Sequence, residues 1–312
     1  MKRKTTKTQE PIDAETTIEL YSDGEDLPSA QALKSLLDDA ARKHKGGCFH
    51  YTTAAKFLMM MESEKLFLSH ASYLNDKREA VDIDPRMYIV SFSFGVEENI
   101  GMWGNYGRPK ADGVRLRFPY REMARLHDRL NASVKAKHGI VAFAVRDGDF
   151  EAIDANSVKD VSFHDVGYVG RQGRIVEHCR KFYSLPNALK QNEKCRLLSS
   201  YLKKRGWAYE HEMRLVIRMK KELRDWNGKP LCNIAIDFKQ VLERMKATQG
   251  CVTIGPCFDT NPYKRFKDVL QPSCLRLSEY MGMVELPPDG EDEKITKNTS
   301  PTIFNNCTFI SK

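Results

Sequence analysis

Long apolar runs are missing from this 312-residue chain, and with them any segment able to span a bilayer. The basic start, Met1 to Lys7, has no apolar stretch behind it, so it does not read as a secretory signal, and a cytoplasmic address follows by default. The eight cysteines (Cys48, Cys179, Cys195, Cys232, Cys251, Cys257, Cys274, Cys307) are scattered, with no CxxC pair and no close Cys/His grouping of the zinc type. That excludes a zinc-finger framework and argues for reduced thiols that pack as small hydrophobes. The sequence has no GxxxxGK[ST], no GxGxxG behind a strand and no GxSxG. A P-loop, a dinucleotide fingerprint and a hydrolase elbow are therefore unsupported. His211-Glu212-Met213-Arg214 lacks the second histidine of the zinc-protease helix. No metal is expected.

Charge is what the chain has. It carries a net +8, but residues 40 to 283 hold 42 Lys and Arg against 28 Asp and Glu, a difference of +14. Both ends are net acidic. A field of that sign favours polyanionic partners, nucleic acid among them. Hydrophobic content of 41% and charged content of 29% are those of a folded globular protein.

The pattern predicts a disordered leader over residues 1–27, a single α+β domain over 28–283, an acidic linker over 284–300 and a β-prone peptide over 301–312. The last segment, which contains Thr302 to Ile310, is nearly uncharged and fits a peptide that either docks on a sheet edge or aggregates; docking would give a regulatory protein partner there. Within the domain a helix is expected over Ala30 to Lys43, capped by Ser29. Cys48 to Tyr51 reads as a strand, followed by a helix from Ala54 capped at Thr52 and Thr53. Leu66 to Ser69, Met87 to Phe94, Val114 to Phe118, Ile140 to Val145 and segments near 213–219, 232–238 and 251–254 read as strands. Tyr120 to Lys137 reads as a basic helix burying Met123, Leu126 and Leu130, residues 171–205 as helical, and Gly167 to Gly173 as turns. A mixed or antiparallel central sheet with flanking helices is the expected architecture.

The densest chemistry lies in Trp207-Ala208-Tyr209-Glu210-His211-Glu212-Met213-Arg214. Read as a strand, it places Glu210, Glu212 and Arg214 on one face at roughly 7 Å spacing. A glutamate held on a rigid element beside aromatic rings suits chemistry that builds positive charge, such as cleavage at an anomeric carbon. His50-Tyr51-Thr52 sits where a ligand can meet an imidazole and a helix N-terminus together. Asn75-Asp76 with Glu79 reads as a turn. Ser91 and Ser93 flank Phe92 on one strand, so both hydroxyls face one way and need partners. Trp103 and Tyr106, in a glycine-rich run, are able to stack a flat ring.

In this order the pieces Phe49-His50-Tyr51-Thr52, Tyr73-Leu74-Asn75-Asp76 with Glu79, Ser91-Phe92-Ser93, Met102-Trp103 with Tyr106 and Gly113, Trp207 with Tyr209-Glu210 and Glu212 with Arg214, and Thr253-Ile254-Gly255-Pro256 resemble the mostly bacterial family called domain of unknown function 2971. They span a family-like core of 48–257. The His50 motif, its helix and the later glutamates also resemble, more loosely, ADP-ribosyltransferase-like domains. That second resemblance implies a split sheet around an NAD pocket and an NAD-consuming effector of the toxin or phage-defence kind, acting on nucleic acid or protein. It further implies that His50 and Thr52, with Tyr51, Asn75, Ser91 and Arg214 in the same pocket, hold NAD. Trp103 or Tyr106 would stack on nicotinamide, and Glu210 or Glu212 would stabilise the cation left as nicotinamide departs. Two other readings stay open: a non-catalytic nucleic-acid-binding module, in which Glu210, Glu212 and Arg214 pair among themselves or with Arg115 and Arg117 and leave no cavity, and a metal-dependent nuclease drawing on Asp76, Glu79, Glu210 and Glu212.

Overall fold

The computed structural model describes residues 19–20, 35, 37–38, 47–74, 83–95, 97–106, 112–169, 200–256, 258 and 260–280. Among them, eleven strands make one branched sheet, with helices on both faces. The α+β class with a mostly antiparallel central sheet is thus as expected from the sequence. No helix among the described residues is long and apolar enough to cross a membrane.

The sheet is organised around β4 (Met87–Ser93), which is buried along almost its whole length and pairs on one edge with the equally buried β11 (Glu212–Met219). Continuous apolar character is what a strand covered on both faces requires. Beyond β11 lies β8 (Val158–Asp165). The other edge of β4 is shared by two strands. β2 (Cys48–Thr53) touches it only through Phe49 opposite Ser93, while β3 (Lys65–His70) pairs Ser69 with Ile89 and His70 with Tyr88. Val90, Ser91 and Phe92 have no ladder partner on that edge among the described residues. The sheet therefore forks. One arm runs from β2 through β5 (Gly113–Phe118) and β13 (Val252–Ile254) to β14 (Leu275–Leu277); the other runs from β3 through β12 (Asn233–Asp237) and β6 (Ile140–Arg146) to β7 (Asp149–Asp154).

The helix between β2 and β3, α1 (Ala54–Ser63), bridges the fork and packs on both strands. Thr53 caps it by accepting from the amide of Lys56 at 3.3 Å, and Glu64 ends it in the left-handed region at φ 53°. One face of the sheet is sealed by α3 (Tyr120–Ala136) and α4 (Lys239–Lys246) over an aromatic core in which Phe118 meets Phe92 and Phe238 edge-on. On the other face α2 (Ile100–Tyr106) packs Met102 and Trp103 against Tyr51. α5 (Pro262–Phe266) closes the β13 end by setting Phe266 against Phe57. A second sheet is small and parallel: β1 (Glu19–Leu20), β9 (Gly167–Val169) and β10 (Leu202–Lys204).

Several local expectations change. Residues 207–214 are not one strand: Arg205–Glu210 is a 3-10 turn, His211 takes φ 45°, and the strand begins at Glu212. The aromatic-rich hydrophobicity that fits a strand serves here to pack a turn against α2. The helix expected to run to residue 205 is replaced at its end by strand β10, and residues 170–199 lie outside the described set. Gly167 to Val169 is strand rather than turn, and the glycine-rich run that holds Trp103 and Tyr106 is helical over Ile100–Tyr106. Glu19 and Leu20, placed in the leader, form a strand on β9. Ser35, Leu37 and Asp38 are helical and Leu37 is buried. Asn75, Asp76, Glu79, the linker 284–300 and the peptide 301–312 lie outside the described residues.

Candidate functional site

The fork opens a cavity of about 360 Å³ that joins the two chemically dense parts of the sequence. His50, Tyr51 and Thr52 of β2 line one wall, Ser91 and Ser93 of β4 the back, and Tyr106 of α2, Trp207 and Glu210 of the 3-10 turn and Glu212 and Arg214 of β11 the opposite wall. This volume lies in the range of small-molecule sites, with few polar groups converging in a largely apolar and aromatic shell. A second cavity, about 420 Å³, lies between α3, β8 and β11, lined by Asp128, Asp160 and Tyr201 among others. It holds none of the residues singled out in the sequence, and Asp160 is committed to Arg218.

His50 stands in the gap of the fork. Its Nδ1 lies 2.9 Å from the carbonyl oxygen of Ser91, one of the three β4 residues without a strand partner on that edge. A carbonyl only accepts, so Nδ1 carries the proton and Nε2 is left as the acceptor. Burial holds the ring below its ordinary pKa of 6.5, with the cation of Lys56 acting the same way and the Ser91 bond opposing it. His50 is a neutral, oriented imidazole at pH 7.

Facing it is a buried group of four charges. Lys203 of β10 sends Nζ to Glu210 Oε2 at 2.5 Å and to Glu212 Oε2 at 3.0 Å. Arg214 holds Glu212 with two nitrogens, Nε to Oε1 at 2.7 Å and Nη2 to Oε2 at 3.1 Å, and turns Nη1 to the carbonyl of Ser200. Ser91 donates its hydroxyl to Glu212 Oε1, Tyr106 donates to Glu210 Oε1 at 3.1 Å, and Ser93 donates to the backbone carbonyl of Glu210 at 2.7 Å. Burying four charges is tolerated because they balance in pairs and are hydrogen-bonded; removing one would leave its partner unmatched.

The two glutamates are not equivalent. A carboxylate offers about four lone-pair sites. Glu212 fills all four with Ser91, Lys203 and the two Arg214 contacts, whereas Glu210 accepts from Tyr106 and Lys203 only, among the described residues. Burial pushes both carboxyls up. At Glu212 the guanidinium of Arg214, the ammonium of Lys203 and the hydrogen bonds outweigh burial and hold it far below the usual carboxylate range. At Glu210 burial and the negative charge of Glu212 win over Lys203 and Tyr106, and its carboxyl sits above that range. Paired titratable groups pushed apart in this way divide anchoring from proton handling.

Trp103 does not line the cavity. It is buried edge-on against Tyr51 with ring centroids 4.9 Å apart, and its Nε1 donates to Glu98 at 3.0 Å. The flat walls of the cavity are Tyr106, Trp207 and Phe92 instead. Arg115 lies over the Phe49 ring at 3.7 Å and bonds the carbonyls of Gly95 and Glu97, so it does not serve the glutamates. Of the three residues expected to pair among themselves or with Arg115 and Arg117, Arg214 holds Glu212, while Glu210 is held by Lys203 and Tyr106 instead, and the cavity lies beside them. Among the described residues no three His, Cys, Asp or Glu side chains gather as a metal site, and Asp76 and Glu79 are outside those residues.

Sequence reasoning missed Lys203 and Tyr168, whose hydroxyl accepts from the amide of Glu212 at 2.9 Å. Lys203 sits in Lys203-Lys204-Arg205, a run that by composition reads as solvated surface. Its only signal was position, just ahead of the glutamates. Comparison of the chain with protein-family models, curated proteins and solved structures finds no match to any of them.

Proposed function

We propose that this chain is an NAD-consuming enzyme of the ADP-ribosyltransferase-like kind, with Glu210 as its working carboxylate. The observation that carries the reading is the fork: β2 and β3 part along β4, and the gap joins a neutral His50 to Glu210 within one aromatic-walled cavity. A sheet split around a dinucleotide is also what the resemblance to ADP-ribosyltransferase-like domains implies.

In the proposed reaction the bond between the nicotinamide nitrogen and C1 of its ribose breaks, and the electron pair leaves with neutral nicotinamide. Positive charge then builds on the sugar. The Glu210 carboxylate, held less fully than Glu212, lies beside it in a buried setting, where charges act strongly. Glu210, with lone pairs to spare, accepts a ribose hydroxyl bond and takes the proton of the nucleophile as that nucleophile bonds C1. Glu212, fully engaged, anchors the arrangement. His50 Nε2 and Thr52 hold the ribose and amide ends, and Tyr106 or Trp207 faces the nicotinamide ring. The nucleophile is water or an acceptor group. The excess of 14 positive charges over residues 40–283, with Arg121, Arg125, Arg129 and Lys135 of α3 exposed, favours a nucleic-acid acceptor.

The test is to incubate the purified full chain with NAD and quantify free nicotinamide. Release by the native protein and none by Glu210→Gln, with the fold intact, is expected. No release by the native protein overturns the reading, as does undiminished release by both Glu210→Gln and Glu212→Gln.

A further inference from the structure

The two glutamates come from the main sheet and the turn before it, yet the one side chain among the described residues that bonds both comes from the second sheet. Lys203 of β10 is the register partner of Tyr168 in β9. Both face the pair: Lys203 through Nζ at 2.5 and 3.0 Å, Tyr168 through its hydroxyl on the Glu212 amide at 2.9 Å. The Lys203 side chain is 7% exposed, and its Nζ lies 5.0 Å from the centroid of the Trp207 ring, so the ammonium is boxed between two carboxylates and an aromatic face. The segment entering β9 is joined to this spot by backbone as well, through the amide of Val166 on the carbonyl of Glu212.

We infer that Lys203 is the positioning residue of the site: by bridging Glu210 and Glu212 it sets one as anchor and the other as working group, and it makes the small parallel sheet an integral part of the catalytic cavity. This rests on the proposed function for its consequence, but not for its geometry. A lysine buried against two carboxylates is an ion-pair member, not a nucleophile, because its proton is held on both sides. Its effect on the pair is asymmetric. Glu212 keeps Arg214 and Ser91 if Lys203 is lost, and stays anionic. Glu210 keeps only Tyr106. Among the described residues, the charged and titratable groups facing the pair include Lys203 from β10, Arg214 from β11, Tyr168 from β9, Tyr106 from α2 and Tyr209 from the 3-10 turn, with His50 from β2 and Lys56 from α1 lining the same cavity. Among the described residues, Lys203 is the cation in contact with Glu210.

The inference is tested with the full chain carrying ¹³C-carboxyl glutamate, titrated by NMR in the native protein and in Lys203→Met, Lys203→Gln and Lys203→Arg, alongside nicotinamide release across pH. In Lys203→Met and Lys203→Gln the Glu210 signal is expected to titrate about one unit or more higher, a tenfold loss of ionised fraction per unit. The acid limb of activity should move with it, while the Glu212 signal stays that of a carboxylate. Lys203→Arg should keep both near the native position. An unmoved Glu210 titration in both neutral variants overturns the inference, and so does an equal upward shift of both glutamates. If the native protein releases no nicotinamide, the NAD reading fails on its own and the carboxyl titration still decides the role of Lys203.

Discussion

The carbonyl oxygen of Ser91 accepts the Nδ1 proton of His50 at 2.9 Å, so an imidazole satisfies a backbone group that an adjacent strand would otherwise satisfy. A buried carbonyl without a partner costs about 1–3 kcal/mol, so a sheet can fork only where something replaces the missing ladder. The same bond orients the ring and leaves Nε2 free to accept in the cavity.

Burial and the nearby Lys56 cation make His50 resist protonation, against the pull of the Ser91 bond. Its folded pKa lies below the ordinary 6.5, so the neutral ring contributes stability that is present above that value and is lost as pH falls through the lower folded value. An NMR titration of the ring signals should find His50 neutral at pH 6.5. A half-charged His50 at that pH would contradict the burial that holds the ring below its ordinary value.

Glu212 should be the costliest of the acidic residues to truncate. Glu212→Ala leaves Arg214 buried at 1% exposure without its carboxylate, and removing one member of a buried pair costs about 3–5 kcal/mol. Denaturant unfolding at pH 7 measures it. A loss below about 1 kcal/mol would show that the pair is not held as described.

The two carboxyls should leave opposite marks on acid stability. Glu212 has a folded pKa below its unfolded one, so its contribution is present above the ordinary carboxylate range and fades as pH falls below it. Glu210 has a raised folded pKa, so its contribution is present in acid and is lost as pH rises through the folded value. Melting curves across pH 3 to 7 should show Glu212→Gln flattening the loss of stability in acid and Glu210→Gln removing the loss as pH rises through the Glu210 folded value. The same sign of change in both variants would refute the division.

Gly255→Ala should disturb the site from a distance. A Cβ there would lie 2.7 Å from the carbonyl oxygen of Gly113 and 2.9 Å from Cζ3 of Trp103. Backbone cannot give as a side chain can, so about 1–3 kcal/mol of destabilisation is expected in a thermal melt. Trp103 is packed on Tyr51 beside the cavity, so its fluorescence should change too. An unaltered melt would mean that β13 and α2 approach less closely than described.

Much of this was legible in local pattern. Alternation and β-branched runs marked β3, β5, β6 and β11, the spacing of Met123, Leu126 and Leu130 marked α3, and His50, Ser91, Tyr106, Glu210, Glu212 and Arg214 stood out as polar or aromatic groups in apolar settings. Burial of an element repeats at the period of that element, and so it is written in the sequence. The strands β7 and β8 were not read as such: β7 is an exposed edge rich in acids, with no apolar face to betray it.

What tertiary structure alone decided is which groups meet. Local sequence cannot say that β2 and β3 share one edge of β4, because that depends on contacts between segments far apart in the chain. Nor can it tell Lys203 from the many solvated lysines, since a cation is surface or site according to what is brought against it. The sequence determined that two glutamates would sit close together; the fold decided, through four donors on one and two on the other, that they are different acids.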